Sequence, residues 1–435
     1  MPSFLPSLRI ILLGVGLFAT IIAVLLFSGK LSFGTLKTKV MGDVIMWGTL
    51  PDVQMSTITN DFNPKAKTYA VRYTYIPEEK FNQRLLEALA SGTGPDMILT
   101  PYQIILSQAD RIYPYQIPEK NFRDIYVDGA EILSIQQGVL ALPVSIEPMV
   151  LFYNRTLFSK HGIINPPTLW DEIITLAPLL NIKDGGRFAE SAVALGTPQI
   201  PYAKDIIMTI IQQLGQTPII RMPNQGDLQR FSILMNTPVV TGGEVLPLSS
   251  VSRFYSQFGD PGQNAYSWNQ ERNENASDVF VSEKLAMYIG YSGEYQTLKS
   301  RNPRGDFQMT LLPQSRGYNT FSTGMRMYAL ATLKSTKNLN ASLTVQGQFA
   351  GSGISPALAS VVGGVPALRS YAGDTTIDPV IARSMLVARG WYDSYPKETT
   401  GYVSAMISDI INYRKGVNEA TGALTSRFID LYNKN

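Results

Sequence analysis

The chain opens on a stretch with no polar periodicity. Residues 10–29 are 20 uncharged positions, mostly Ile, Leu, Val, Phe and Ala, bounded by Arg9 and Lys30. A run apolar on every face and long enough for a hydrocarbon core of about 30 Å predicts a transmembrane helix rather than a buried core helix. A secretory leader has a shorter apolar region and a small-x-small cleavage site, and Leu25-Leu26-Phe27-Ser28-Gly29-Lys30 offers none. The segment is therefore expected to stay as an anchor. Its flanks leave orientation open, because Arg9 and the amino terminus face Lys30, Lys37 and Lys39 across the span. Residues 30–42, rich in Ser, Gly, Thr and Lys, read as a tether, and the chain from Asp43 onward as a soluble body.

Beyond the tether the apolar positions change period repeatedly. Val44, Ile45, Met46 and Trp47 form a short apolar run closed by Gly48 and Pro51, which suits a buried strand leading into a loop, with a helix to follow. Phe81, Leu85, Ala88 and Leu89 recur at helical spacing until Ser91 and Gly92 stop the pattern. Pro95 and Asp96 then introduce a strand through Met97, Ile98 and Leu99. The alternation continues with strands at 138–144 and 149–153, a helix capped by Thr168 with Leu169, Trp170, Ile173 and Ile174 inside, and a strand at 285–290. The carboxyl end is helical only, marked by Val403, Met406, Ile407, Ile410 and Ile411 and then by Leu424, Phe428 and Leu431. Such strand and helix alternation predicts α/β layers. There is no internal repeat and no charge block.

Composition narrows the chemistry. A length of 435 residues allows two to three domains at about 150 residues each. Hydrophobic residues at 45% and charged residues at 16% describe a folded chain. Zero cysteines remove disulfides, thiolate metal sites, cysteine nucleophiles and a lipid on an amino-terminal cysteine. The one histidine, His161, removes multi-histidine metal sites and reads as a surface cation at a helix end. A net charge of +3 gives no electrostatic case for nucleic acid. No cofactor is indicated. The sequons at Asn154, Asn275 and Asn340 matter only in a glycosylating secretory pathway.

One region is more specific. From 138 to 172 the order is GVLALPV, the step Ser145-Ile146-Glu147-Pro148, MVLFYN, TLFSKHGI and PPTLWDE. Together with SGTGPDMI at 91–98, VSEKLAMYIGYSGEY at 281–295 and TGYVSAMISDII at 400–411, this order strongly resembles family 1 extracellular solute-binding proteins, the maltose-binding protein group. The PPTLWDE context is a specific signal, whereas Pro-Asp before apolar residues is weak alone. The resemblance covers about residues 43–432. It implies a periplasmic-binding-protein-like α/β fold of two discontinuous lobes with a helical carboxyl-terminal cap. Mapped here, lobe 1 is 43–144 plus 325–361 and lobe 2 is 148–320 plus 367–435, with crossings near 144–148, 320–325 and 361–367. It also implies a receptor that closes on a small polar solute, carbohydrate or polyol, and hands it to the permease subunits of an ABC importer, as a monomer.

In open α/β sheets, ligands sit outside the carboxyl ends of the strands, so the loops after Trp47, Leu99 and Ile289 are expected at the cleft. Glu147 matches the crossing segment where the family supplies a ligand-contacting Glu; it reads either as that acceptor or as a hinge residue paired with a cation. Trp47 beside Gly48 offers a stacking face or a core side chain. Thr100, Pro101, Tyr102 and Gln103 stand where the family has Trp, Asp and Arg on the sugar. That departure argues against maltodextrin and leaves Tyr102 and Gln103 as neutral substitutes. Asp96 reads as a loop-fixing residue. Tyr291, Ser292, Gly293 and Glu294 end a strand and open a helix, as ligand groups or as ordinary capping. The resemblance adds Tyr266 and Trp268 before that segment, Thr323 at the second crossing and Trp391 before the terminal helices. A sensor without a transport role and a secreted carbohydrate-active enzyme with paired carboxylates are the competing readings.

Overall fold

The computed structural model describes residues 42–433 apart from 67–68, 186, 223–230, 241–243 and 273. The expected anchor at 10–29 and the tether at 30–41 lie outside the described residues. Among the described residues no helix is long and apolar enough to cross a membrane.

Strand β1 (Asp43–Gly48), helix α1 (Asp52–Lys65), strand β2 (Ala70–Tyr75), helix α2 (Glu78–Ala90) and strand β3 (Met97–Pro101) open the fold as the apolar pattern predicts. β1 lies between β2 and β3, parallel to both. Helices cover both faces: Phe81 and Leu85 of α2 join one apolar core, while Met55 and Ile58 of α1 join another with Val44, Met46 and Leu99.

Strand β4 (Leu142–Asn154) is 13 residues long and buried at every position but Tyr153. At about 3.3 Å per residue it is about 43 Å long. The sequence pattern suggested two strands separated by the Ser145–Pro148 step; the structure makes one, because a central strand buried on both faces needs no alternation. Gly138 and Val139 belong instead to a short hairpin with Ser134 and Ile135. Past β4, the Asn154 side chain caps the helix Arg155–Lys160 by accepting from the Leu157 amide. Before the helix Trp170–Leu180, the expected Thr168 cap is replaced by the Glu172 carboxylate, which accepts from the Thr168 and Leu169 amides.

Strand β5 (Arg187–Val193), helix α3 (Ala203–Gln213), strand β6 (Leu285–Tyr291), helix α4 (Glu294–Arg301) and strand β7 (Phe307–Leu311) follow, then strand β8 (Thr323–Leu333) and the two-residue strand β9 (Val365–Pro366). They form one extended sheet in two ladders that share β4. In the first ladder, β8 pairs antiparallel with β3 on one side and with residues 142–148 of β4 on the other. In the second, residues 149–153 of β4 pair antiparallel with β6, which runs parallel to β5, and β7 flanks the far edge of the same stretch. β9 pairs with Ser145 and Ile146, so two strands reach β4 where it passes from one ladder to the other.

Helices α5 (Pro396–Ile411) and α6 (Val417–Tyr432) close the chain. A buried Lys204 to Asp393 ion pair, reinforced by Thr399, ties α3 to α5. His161 departs from the surface reading: it is half-buried, with Nε2 3.3 Å from the Glu190 carboxylate that also takes Lys160.

Candidate functional site

The site is built where β4 changes ladders. In β8 the burial alternates, with Met325, Met327 and Ala329 inward and Arg326 and Tyr328 on the opposite, more open face. Arg326 and Glu147 are direct cross-strand partners. The Arg326 Nη2 donates to Glu147 Oε2 at 2.6 Å, with the arginine side chain 41% exposed and the glutamate 7%. Of the two readings of Glu147, the structure shows it paired with a cation.

Groups from both ladders surround this pair. From the second ladder, the guanidinium carbon lies 4.2 Å from the Tyr291 ring centroid and 5.6 Å from that of Tyr202. The two rings meet edge to face at 4.9 Å. The Tyr291 hydroxyl donates to Asp205 Oδ2 at 2.9 Å, in the first turn of α3. Glu294 reaches back to accept from the Tyr291 amide at 2.8 Å and the Tyr288 hydroxyl at 2.7 Å. The Ser292 amide donates to the Pro148 carbonyl at 2.9 Å, fastening this turn to β4. From the first ladder come Glu78, opening α2, and Tyr328, whose hydroxyl accepts from Thr49 at 3.3 Å.

The electrostatics follow from this crowding. Burial pushes the Glu147 carboxyl above its ordinary value, Arg326 opposes the rise and the charge of Glu294 adds to it. Burial works against the Arg326 charge, yet Glu147 holds its pKa above the usual guanidinium value. Burial, then Glu294, pushes the Tyr202 hydroxyl up to about 12. The Glu78 carboxyl is raised by desolvation and by Glu79 although its side chain is open to solvent.

Close backbone approach shapes the floor. A Cβ on Gly293 would run into the Gly363 carbonyl and come 3.0 Å from Glu147 Oε2. One on Gly364 would sit 2.8 Å from the Ile146 carbonyl. Gly363 itself has φ 76°, which a side chain would disfavour.

The other sequence candidates fall in different places. Ser292, Gly293 and Glu294 are in the cluster with Glu147 and Tyr291. Thr323 is buried beside it, donating to the Met149 carbonyl at 2.6 Å. Trp47 is half-buried against the core and Gly48 is buried, both leading to Thr49. Tyr102 is 1% exposed and donates to the Trp391 carbonyl at 3.3 Å. Trp391 in turn lies under Lys204, with its ring centroid 5.4 Å from the ammonium. These two are packing partners behind the Tyr291 and Asp205 contact, because β3 continues to Pro101 and turns its next side chain into the core. Gln103 is half-buried beside them. Tyr266 and Trp268 are not in the cluster. Tyr266 packs on Phe188 and Lys183, while Trp268 lies under Arg272, which donates to Ser191. Ser191 is level with Leu285, the opposite end of β6 from Tyr291 and about 20 Å away along the strand. Asp96 fixes structure as expected, but across strands: it accepts from the Ile45 amide and the Thr336 hydroxyl.

Sequence reading missed Arg326, Tyr202, Asp205, Glu78, Tyr288 and Tyr328. Arg326 left one trace, a lone cation in the apolar strand TGMRMYALATL. Tyr202 left none; it has φ 62°, an uncommon conformation for a bulky residue that turns the chain into α3.

Chemically, the cluster offers a buried carboxylate, a cation with several N–H groups and tyrosine faces, a set suited to hydroxyl groups. Among the described residues no group of three or more acids or histidines is placed to hold a metal ion. A separate cavity of about 1040 Å³ lies between residues 109–119, 134–140, Lys334 and Arg221 with Met222; it includes none of the cluster and borders the undescribed stretch that begins at 223.

Comparison with known proteins points one way. The sequence profile described as bacterial extracellular solute-binding protein matches residues 57–344. A multiple sugar-binding protein of Streptococcus mutans is 21% identical over 293 residues, covering 66% of this chain and 66% of that protein. A cyclic alpha-maltosyl-1,6-maltose binding protein from Arthrobacter globiformis superposes with TM-score 0.72 at 15% identity, over 90% of this chain and 99% of its own. The sugar-binding protein MalE from the phytopathogen Xanthomonas citri superposes equally, with TM-score 0.72 at 15% identity over 90% of this chain and 97% of that one.

Proposed function

The chain belongs to the bacterial extracellular solute-binding proteins, and from that premise we propose that it is an extracytoplasmic receptor of an ABC importer, binding a carbohydrate between two lobes that close on it. The observation that carries this reading is the Glu147 and Arg326 pair at the ladder junction, walled by Thr49, Glu78 and Tyr328 on one side and by Tyr202, Tyr291 and Glu294 on the other. Only a closed arrangement brings both walls onto one guest, so ligand shifts an open and closed population by its differential contacts. The two lobes are 43–144 plus 325–361 and 148–320 plus 367–435. Glu147, Tyr291, Ser292, Gly293, Glu294, Trp47 and Gly48 are the sequence-derived residues assigned to the cleft, joined by Arg326, Tyr202, Glu78 and Tyr328; Thr323, Tyr102, Gln103 and Trp391 support it from behind.

Sugar recognition by relatives of similar fold supports a carbohydrate as the solute. The apolar stretch at 10–29 supports a membrane anchor in place of a lipid, the chain having no cysteine. The receptor acts as a monomer, docking on permease subunits, and turns nothing over. The test is a thermal-shift and calorimetric screen of neutral mono- to tetrasaccharides, with product analysis by chromatography. Saturable stabilisation without new products is expected. Cleavage of a bound sugar, or stabilisation by none, overturns the reading.

A further inference from the structure

We propose that Arg326 is the positioning and specificity residue of the cleft: by pairing with one oxygen of Glu147 it presents the other oxygen, beside its own free N–H groups, as a matched acceptor and donor set for two adjacent hydroxyls of a neutral sugar. This rests on the receptor reading above and goes beyond it in naming the discriminating residue and the ligand feature it reads.

The geometry supplies the argument. Glu147 uses Oε2 for Arg326, and Oε1 makes no hydrogen bond among the described residues. Among the described residues only one of the five N–H groups on Arg326, on Nη2, has an acceptor, and Nε is buried without any. Tyr291 and Tyr202 hold the guanidinium plane through their ring faces. The remaining Nη hydrogens are therefore what is left to a guest. A hydroxyl can give a proton to a carboxylate and accept one from a guanidinium, so two neighbouring hydroxyls satisfy both groups at once. An anionic guest would face the carboxyl groups of Glu78, Asp205 and Glu294, while the charge of Arg326 is already met by Glu147.

Arg326 also governs whether Glu147 is available as an acceptor. The groups facing Glu147 are Arg326 and Tyr328 from β8, Tyr202 before α3 and Glu294 from α4; β9 and Gly364 bring only backbone and apolar surface. Among these, Arg326 alone stabilises the carboxylate. Without it, burial and Glu294 act unopposed, and as pH falls Glu147 is protonated earlier, at a higher pH than in the native protein.

The test uses the full chain in detergent micelles. Glutamate labelled with ¹³C at Cδ is titrated, with the Glu147 signal assigned by its loss in Glu147→Gln. Affinity is measured from pH 5 to 8 for maltose, sucrose, trehalose, raffinose and cellobiose, and for glucuronate-containing counterparts. We expect Arg326→Gln to raise the Glu147 midpoint and to weaken the best neutral sugar about tenfold at pH 7, more at pH 5. Arg326→Lys keeps the midpoint near the native one yet still weakens the sugar, lacking the fork. An unmoved midpoint in Arg326→Gln overturns the proposal, as does a weakening equal at every pH, which a purely structural role would give. A uronate bound as tightly as its neutral partner overturns the inference alone. If no sugar of either charge binds the native protein, the receptor reading falls and this one with it.

Discussion

Glu147 concentrates the energetics of the site because it is buried, charged and served by a single cation. Removing it takes away a charge-assisted acceptor and leaves Arg326 unpaired. Glu147→Ala is expected to weaken solute binding by about 1.5 to 3 kcal/mol in calorimetry; unchanged affinity would move the site elsewhere. Gly293 tests the floor independently of charge. Gly293→Ala forces a methyl group against the Gly363 carbonyl and Glu147 Oε2. Overpacking of this kind costs about 1 to 3 kcal/mol, so the variant should melt at lower temperature and bind more weakly. A native melting curve with native affinity would show that the two segments part freely.

Among elements, the junctions carry the sharpest tests. The buried Asn154 caps the helix that follows β4. Asn154→Ala should cost about 1 kcal/mol in denaturant unfolding, with solute affinity retained. On the other side of the sheet, Asp128 takes both Arg369, after β9, and Arg389, the latter at 2.8 Å. Burial raises the Asp128 carboxyl, but the two arginines outweigh it and hold the pKa below its ordinary value. A depressed carboxylate contributes stability above its unfolded pKa and loses it as pH falls through the folded one. Asp128→Asn is therefore expected to lower the melting temperature at neutral pH, with a difference that shrinks below about pH 4. A constant difference down to pH 2 would assign the effect to packing instead. Much at this scale was legible in the apolar period: β1, α2, β3, β6 and both terminal helices follow it. Where it failed, at β4, the cause was local. Full burial erases alternation, and Glu147 and two prolines inside the strand resemble a break.

For the whole molecule, the proposed receptor reading makes the folding of the sheet and its helices independent of the apolar stretch at 10–29. A chain beginning at residue 43 is expected to be soluble, cooperatively folded and as competent for solute as the full chain, and the full chain is expected to sediment with membranes. Misfolding of the shortened chain would contradict this, and so would recovery of the mature protein free of membranes and lacking its first 28 residues.

The sequence by itself determined the α/β alternation, the resemblance carried by PPTLWDE and its neighbours, and the crossing glutamate, because these depend on residues within one or two elements. Tertiary structure alone decided what surrounds that glutamate. Arg326 is 179 positions from Glu147, and Tyr202, Glu78 and Tyr328 come from separate elements. Their meeting depends on strand register and on the turn at Tyr202, neither of which leaves a periodic trace. Tyr102 and Trp391 show the converse: a position after β3 for the one and the resemblance for the other suggested contact with a guest, and the packing of α3 and the terminal helices buries both.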